Sequence, residues 1–262
     1  MSSSTSFHGT QLRSLIGKPQ QTGKSLASQE NWMLLESPTQ EGFHEEEAST
    51  ALAANLLYTT LIQRLNIIQF TLDDTARSWT HASKDLQFRR TCRAVIVKDD
   101  SLAFSYLKNR HQYVLPGGGF EAKETPQGCA ERECSEELGL CITAHNPVAM
   151  VREFYDGILR FEHVYLRADF YDQRGDTSRT DEEIELGITE EWIPLDAVQV
   201  QLLQTRAHTT PQETQKEYIH RAIANCHLRE LLGISAVLNW PWQPIIDIGN
   251  GQKGISITTS IF

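Results

Sequence analysis

The stretch from Gly118 to Leu140 constrains this chain more than any other. It reads GGFEAKETPQGCAERECSEELGL, a glycine-rich turn followed by a segment dense in charge and ended by Gly139. On a helix turning about 100° per residue, Arg132, Glu136, Glu133 and Glu137 fall at about 0°, 40°, 100° and 140°, so one face gathers three carboxylates and a guanidinium. Ala130, Cys134 and Leu138 fall at about 160°, 200° and 240°, an apolar stripe that predicts packing on a sheet. Cys134 reads there as a small core hydrophobe rather than a nucleophile or ligand. Gly139 is a natural helix stop.

Like charges on neighbouring turns repel, by roughly a few tenths of a kcal/mol for an exposed pair and more when partly buried. Hard divalent cations such as Mg²⁺ or Mn²⁺ take carboxylate, carbonyl and water oxygens and bind phosphate on their open side, so they supply the missing compensation. Ahead of the helix, Pro116-Gly117-Gly118-Gly119 predicts a turn in which backbone approaches a metal or phosphate without side-chain obstruction.

Gly118, Glu124, Arg132, Glu133, Glu136, Glu137 and Gly139 match the spacing G-x5-E-x7-R-E-U-x-E-E-x-G-U, with U apolar, and so the chain resembles the Nudix hydrolase superfamily. The resemblance runs from Phe88 to Val198 and includes Glu191-Trp192-Ile193-Pro194-Leu195-Asp196, similar to the closing strand and helix start of that family. It implies an α/β fold, a Nudix-type α/β/α sandwich with a mixed β-sheet plus N-terminal and C-terminal extensions. It implies metal-dependent hydrolysis of a pyrophosphate bond in a nucleoside diphosphate linked to another moiety, with Mg²⁺ or Mn²⁺ as cofactor. Glu133, Glu136 and Glu137 would be metal ligands, one of them also the water-activating base; which one differs among relatives. Arg132 would orient Glu136, Glu124 and Gly118 would order the loop, and Gly118 or its neighbour would offer a carbonyl to the metal. Many relatives add a carboxylate from a later loop, and Asp181-Glu182-Glu183-Ile184-Glu185 is the obvious source, with Glu182, Glu183 and Glu185 as candidates. The same cluster also reads as a solvated acidic loop.

Substrate phosphate calls for cations. Arg89, Arg90, Arg93, Lys98, Lys108 and Arg110 precede the turn, and Arg93, at the start of a predicted strand, is the phosphate contact singled out. Phe120 is a candidate for stacking on a base, set against a core role. His163 and Glu162 are neighbours in a predicted strand and point to opposite faces, which argues against a His-Glu catalytic pair. No histidine spacing suggests a metal site.

The chain of 262 residues carries 24 Lys+Arg against 34 Asp+Glu, a net charge of -10, which argues against nucleic acid or anionic lipid as partner. No apolar run is long enough to span a membrane, so a soluble protein is expected. Five cysteines without a C-x-x-C pair fit a reducing compartment, predicting a cytoplasmic location; a Ser-rich, acid-free Met1–Gln29 leaves an organellar transit peptide as the alternative.

The expected organisation is a disordered leader over 1–40, an N-terminal helical extension over 41–86, the Nudix domain over 87–200, a C-terminal helical region over 201–235 and a tail over 236–262. A helix is expected at Glu45–Leu65, strands at 67–71, 92–97, 103–107, 113–115, 141–154, 160–170 and 188–193, and a short helix opening at Leu195. A longer helix runs from Pro211 to Leu232 with Gly233 as its cap, and Asn250-Gly251 suggests a hairpin between Pro244-Ile245-Ile246 and Ile255-Ser256-Ile257. The substrate is a nucleotide-derived small molecule, and the extensions leave room for a homodimer. The competing function is a non-catalytic nucleotide-sensing or regulatory module, disfavoured because all the carboxylates are retained. A fused DNA-binding module is disfavoured because Gln215–Glu230 lacks a basic face.

Overall fold

The computed structural model describes residues 67–74, 88–205, 217–252 and 254–261. The expected leader and the Glu45–Leu65 helix lie outside them. The strands are β1 (Ile68–Asp73), β2 (Arg89–Lys98), β3 (Ser101–Leu107), β4 (Gln112–Val114), β5 (Leu140–Tyr155), β6 (Ile158–Gln173), β7 (Ile188–Pro194) and β8 (Ser256–Ile261). The helices are α1 (Pro126–Leu138), α2 (Asp181–Leu186), α3 (Val198–Gln204), α4 (Glu217–Leu238) and α5 (Gln243–Asn250), with a 3-10 turn at Lys108–Arg110. The strands form one mixed sheet in the order β4-β3-β2-β6-β5-β1-β8, and β7 pairs with β3. The long β5–β6 hairpin turns at Asp156-Gly157, where φ of 57° and 73° is the left-handed pair a two-residue hairpin requires.

Alternation along β2 assigns the layers. Cys92, Ala94 and Ile96 are buried against Cys129, Ala130, Cys134 and Leu138, the apolar stripe of α1. Val95 faces the other way, into a core with Phe70, Val151, Tyr165, Leu228, Leu231 and Leu232, built largely on α4. The α/β/α sandwich follows directly: α1 covers one face, and α4 with α3 and α5 covers the other. Each fully buried aliphatic side chain contributes about 1.5–3 kcal/mol, so the two clusters supply most of the drive to close the sandwich.

β1 is the strand expected at 67–71, within the stretch assigned to the N-terminal extension; it pairs parallel to β5 and antiparallel to β8, so both chain ends of the described structure complete the sheet. Three expectations are corrected. Gly233 does not cap a helix: α4 continues through it to Leu238, and a Cβ on Gly233 would run into the Tyr165 ring, so the glycine serves close helix-to-sheet packing. The Asn250-Gly251 hairpin is absent, because Pro244 sits in the first turn of α5, where its missing N–H costs nothing, and Ile245 and Ile246 face the core. Asn250 instead accepts from the Ile257 N–H at 2.6 Å and donates to its carbonyl at 3.3 Å, pinning α5 to β8. The short helix starts at Val198 rather than Leu195, after a turn closed by the Ala197 N–H on the Pro194 carbonyl. Among the described residues no helix is long and apolar enough to cross a membrane.

Candidate active site

β2 and β3 pair only at their connecting turn, Val97 with Leu102 and Lys98 with Ser101, and then diverge. The glycine-rich turn fills the gap. Cys92 N–H donates to the Gly118 carbonyl at 3.0 Å and Ala94 N–H to the Pro116 carbonyl at 2.9 Å. Unpaired, each of those buried donors would cost about 1–3 kcal/mol. On the other side of the turn a Cβ at Gly118 would collide with the Glu133 carboxylate. Gly118 therefore lets a carboxylate approach the backbone. Its carbonyl, expected to serve a metal, is already an acceptor in the sheet.

α1 starts at Thr125, whose hydroxyl accepts from the Gly128 N–H at 3.1 Å, with Pro126 in the first turn, and it closes on Gly139 at φ 68°. Arg132 spends all its donors at the site. Nε and Nη2 grip the two oxygens of Glu124 at 2.9 and 3.0 Å, Nη1 reaches Glu133 at 2.9 Å and Glu136 at 3.0 Å, and Nη2 also holds the Gly119 carbonyl at 2.9 Å. Burial pushes the Glu124 carboxyl up, but the Arg132 bonds and the Glu121 N–H outweigh it and bring its pKa below the ordinary value.

The three carboxylates that converge are Glu133, Glu137 and Glu183, each with an oxygen within 4.8 Å of the other two. Of the expected trio, Glu133 and Glu137 stand in this group, joined by the candidate Glu183. Glu136 lies about 40° from Arg132 on the helix and is captured by it, half-exposed and outside the cluster. Glu183 arrives by a chain of backbone contacts. Arg174 N–H, Ser178 N–H and the Arg179 guanidinium bind the carbonyls of Gly139, Glu136 and Glu137 at 2.9, 3.0 and 2.6 Å, satisfying the last turn of α1 and laying the next segment beside it. Thr180 then caps α2 in a capping box in which Glu183 accepts from the Thr180 N–H at 2.7 Å. The segment expected as an acidic loop is thus a short helix. The Thr180-x-x-Glu183 spacing was the signal for it.

Glu137 is buried, and one oxygen accepts both the Ser105 hydroxyl at 2.9 Å and the Gly117 N–H at 3.4 Å. Burial first, then the charge of Glu133, push its pKa up to about 8, against the pull of Arg93; Glu183 adds to the rise. Burial also raises Glu133, despite Arg132. Mutually repelling carboxylates with oxygen donors only are what a hard divalent cation fits, and these residues can hold one. Ser105 carries no sequence signal of its own.

Of the other expected residues, Arg93 Nη1 donates to the carbonyls of Leu115 at 3.0 Å and Gly117 at 2.5 Å, so it braces the turn from beneath. Phe120 packs on the α1-side core. Glu182 is half-buried and acts electrostatically on Arg89 and Arg110, whereas Glu185 is exposed and its backbone carbonyl accepts from Asn109. Glu162 and His163 do face opposite ways: Glu162 holds Arg90 and Arg152, while His163 meets Thr91 at 2.7 Å and Glu153 at 2.9 Å. Sequence reasoning missed the buried network beyond, in which Arg229 bonds Glu153 at 2.9 Å and Glu230 at 3.0 Å.

Residues 88–214 match the family model described as the NUDIX domain. No curated relative matches the sequence. Among solved structures the chain is similar to a UDP-X diphosphatase (16% identity, TM-score 0.36, 55% of this chain and 66% of that one). It is also similar to a NUDIX hydrolase from Nitrosomonas europaea (18%, 0.39, 55% and 91%) and to an ADP-ribose pyrophosphatase from Streptococcus suis (16%, 0.36, 57% and 92%). The chain thus spans just under two thirds of the first of these and most of the other two. With the family match laid over the turn, α1 and the cluster just described, residues 88–214 of the chain are a NUDIX domain.

Proposed function

We propose that the protein hydrolyses a pyrophosphate bond in a nucleoside diphosphate linked to another moiety. The observation that carries this reading is the meeting of Glu133, Glu137 and Glu183 within 4.8 Å. These residues would hold Mg²⁺ or Mn²⁺, which when bound polarises phosphoryl oxygens and lowers the pKa of water. Ser105 and the Gly117 N–H fix the Glu137 carboxylate, and Arg132 fixes Glu133. Glu136, held by Arg132 but outside the cluster, is the carboxylate left to take a proton from the attacking water. Five free and buried cysteines support a reducing, cytoplasmic setting.

The test is release of phosphate and pyrophosphate, with products resolved by mass, across nucleoside triphosphates, oxidised nucleotides, ADP-ribose, nucleotide sugars and dinucleotide polyphosphates. Reactions contain Mg²⁺ or Mn²⁺, with Glu136→Gln/Glu137→Gln as control. Turnover of one class, reduced at least about a hundredfold in the control, is expected. Nucleotide binding without turnover anywhere would establish a sensor instead.

A further inference from the structure

We propose that Arg89, rather than Arg93, is the substrate's phosphate contact, its guanidinium taking the oxygens of the phosphoryl group next to the one held at the carboxylate cluster. This rests on the function proposed above and adds the residue that recognises the substrate's charge.

Three arginines lie on the part of β2 that borders the glycine-rich turn, and two are committed. Arg90 Nε donates to Glu162 at 2.8 Å, and Arg93 Nη1 is held by the Leu115 and Gly117 carbonyls. Arg93 keeps a buried Nε without a partner, but its Nη1 is anchored twice; on Arg89 it is the buried terminal Nη1 that has no hydrogen-bond partner among the described residues. A buried cationic donor left unpaired is costly, and burial draws the Arg89 pKa down to about 10, with the Arg93 charge adding to the fall and Glu133 and Glu182 opposing it. A guanidinium is retained in such a place where an anion completes it.

The position fits a pyrophosphate. A Cβ on Gly119 would stand 3.5 Å from Arg89 Nη2, and a Cβ on Gly118 would meet the Glu133 carboxylate. Arg89 and the Glu133 carboxylate therefore stand beside adjacent residues of one turn, close enough for the Glu133 charge to act on the Arg89 guanidinium. Glycine at both positions keeps side chains out of the space between. The charge balance requires such a group: Glu133, Glu136, Glu137, Glu182 and Glu183 surround the site, and a polyanion approaching them needs a cation that is not consumed by the fold. The planar fork of arginine also matches two phosphate oxygens at once, which a lysine does not.

The test uses the full chain with Mg²⁺ and titrates inorganic pyrophosphate by calorimetry into wild type, Arg89→Gln and Arg89→Lys. Mn²⁺ binding by electron paramagnetic resonance and thermal unfolding without ligand are measured in parallel. Arg89→Gln should weaken pyrophosphate binding about 10- to 100-fold while leaving Mn²⁺ affinity within twofold and the ligand-free melting temperature equal or higher. Arg89→Lys should recover part of the loss. Pyrophosphate affinity within twofold of wild type in Arg89→Gln, or no pyrophosphate binding by wild type, would overturn the assignment. So would an equal fall in Mn²⁺ affinity. The two readings separate: loss of pyrophosphate binding in Arg89→Gln supports Arg89 even if no nucleotide is hydrolysed. Conversely, a hydrolysing enzyme whose KM is unmoved by Arg89→Gln refutes Arg89 alone.

Discussion

Replacing Glu137 by Gln should stabilise the metal-free protein at alkaline pH and abolish its response to metal. The folded pKa of Glu137, raised by burial and by Glu133 to about 8 from an ordinary 4.5, means the folded state resists ionising this group. Its contribution to stability is full below pH 4.5 and is lost as pH rises through about 8. At roughly 1.4 kcal/mol per pH unit over that window, the ionised carboxylate destabilises the metal-free fold by on the order of 3–5 kcal/mol above pH 8. The amide of Glu137→Gln removes the charge yet keeps an oxygen where a single oxygen now accepts both Ser105 and the Gly117 N–H. For a chain of this size each kcal/mol moves the melting temperature by about 2–4 °C, so a rise of about 10 °C is expected at pH 8.5 in EDTA, vanishing near pH 4.5. Saturating Mn²⁺ closes most of this gap, because a ligand at a thousandfold excess over its Kd adds about 4.1 kcal/mol to wild type and little to the variant. Differential scanning calorimetry at both pH values, with and without Mn²⁺, reads all four corners. A variant that melts at or below wild type in EDTA at pH 8.5, or gains as much from Mn²⁺, would refute the reasoning.

Two further outcomes follow from the buried side of the sheet. Arg93 is part-buried, and the charge that does most to keep it protonated against burial is that of Glu230, itself wholly buried. Glu230→Gln or Arg93→Met alone should lower stability in urea by about 3–5 kcal/mol, and the double variant should lose less than the sum, whereas strict additivity would show that the two do not interact. His163 is held neutral, burial depressing its pKa to about 3, while Arg229 and His163 overcome burial to hold Glu153 ionised down to about 2. Both pKa values are depressed, so stability is lost as pH falls, from 6.5 downward for His163 and from 4.5 downward for Glu153. His163→Gln should flatten the urea midpoint between pH 6 and pH 5 and leave the steeper loss below pH 4.5; an unchanged slope across both ranges counts against the network.

The residues that announced themselves in the sequence are those whose spacing carries the information. Helical period placed Glu133, Glu137 and the Ala130–Cys134–Leu138 stripe correctly, because within one helix the angle between residues is fixed by geometry alone. The same helical angle sets Glu136 beside Arg132, with which it makes an ion pair at 3.0 Å. Glu183 comes from a different element, so only the capping box of α2 and the bonds from 174–179 to the end of α1 could bring it in. At Gly233 and Asn250-Gly251 the residue type was read as a local signal, when tertiary packing on Tyr165 and the pairing of β8 with β1 decided the outcome. The partners of Arg93 and His163 sit on α4 and β5, at separations that no pattern in the chain encodes.

The divergence of β2 from β3 ties stability and chemistry together with opposite signs. Where the strands part, the N–H groups of Cys92 and Ala94 would be orphaned, and the carbonyls of Gly118 and Pro116 satisfy them. The turn is therefore needed to finish the sheet before it does anything for a substrate. Its close contacts leave no room for side chains, so changes there cost fold and function at once. The carboxylates behave the other way: Glu133 and Glu137 are raised above their ordinary pKa values, so their ionised forms burden the metal-free fold. Arg89, whose buried Nη1 has no partner among the described residues, burdens it likewise. Groups that weaken the empty protein and gather around one turn are there for what binds between them, and the sign of the stability change on removing each one distinguishes the site from its scaffold.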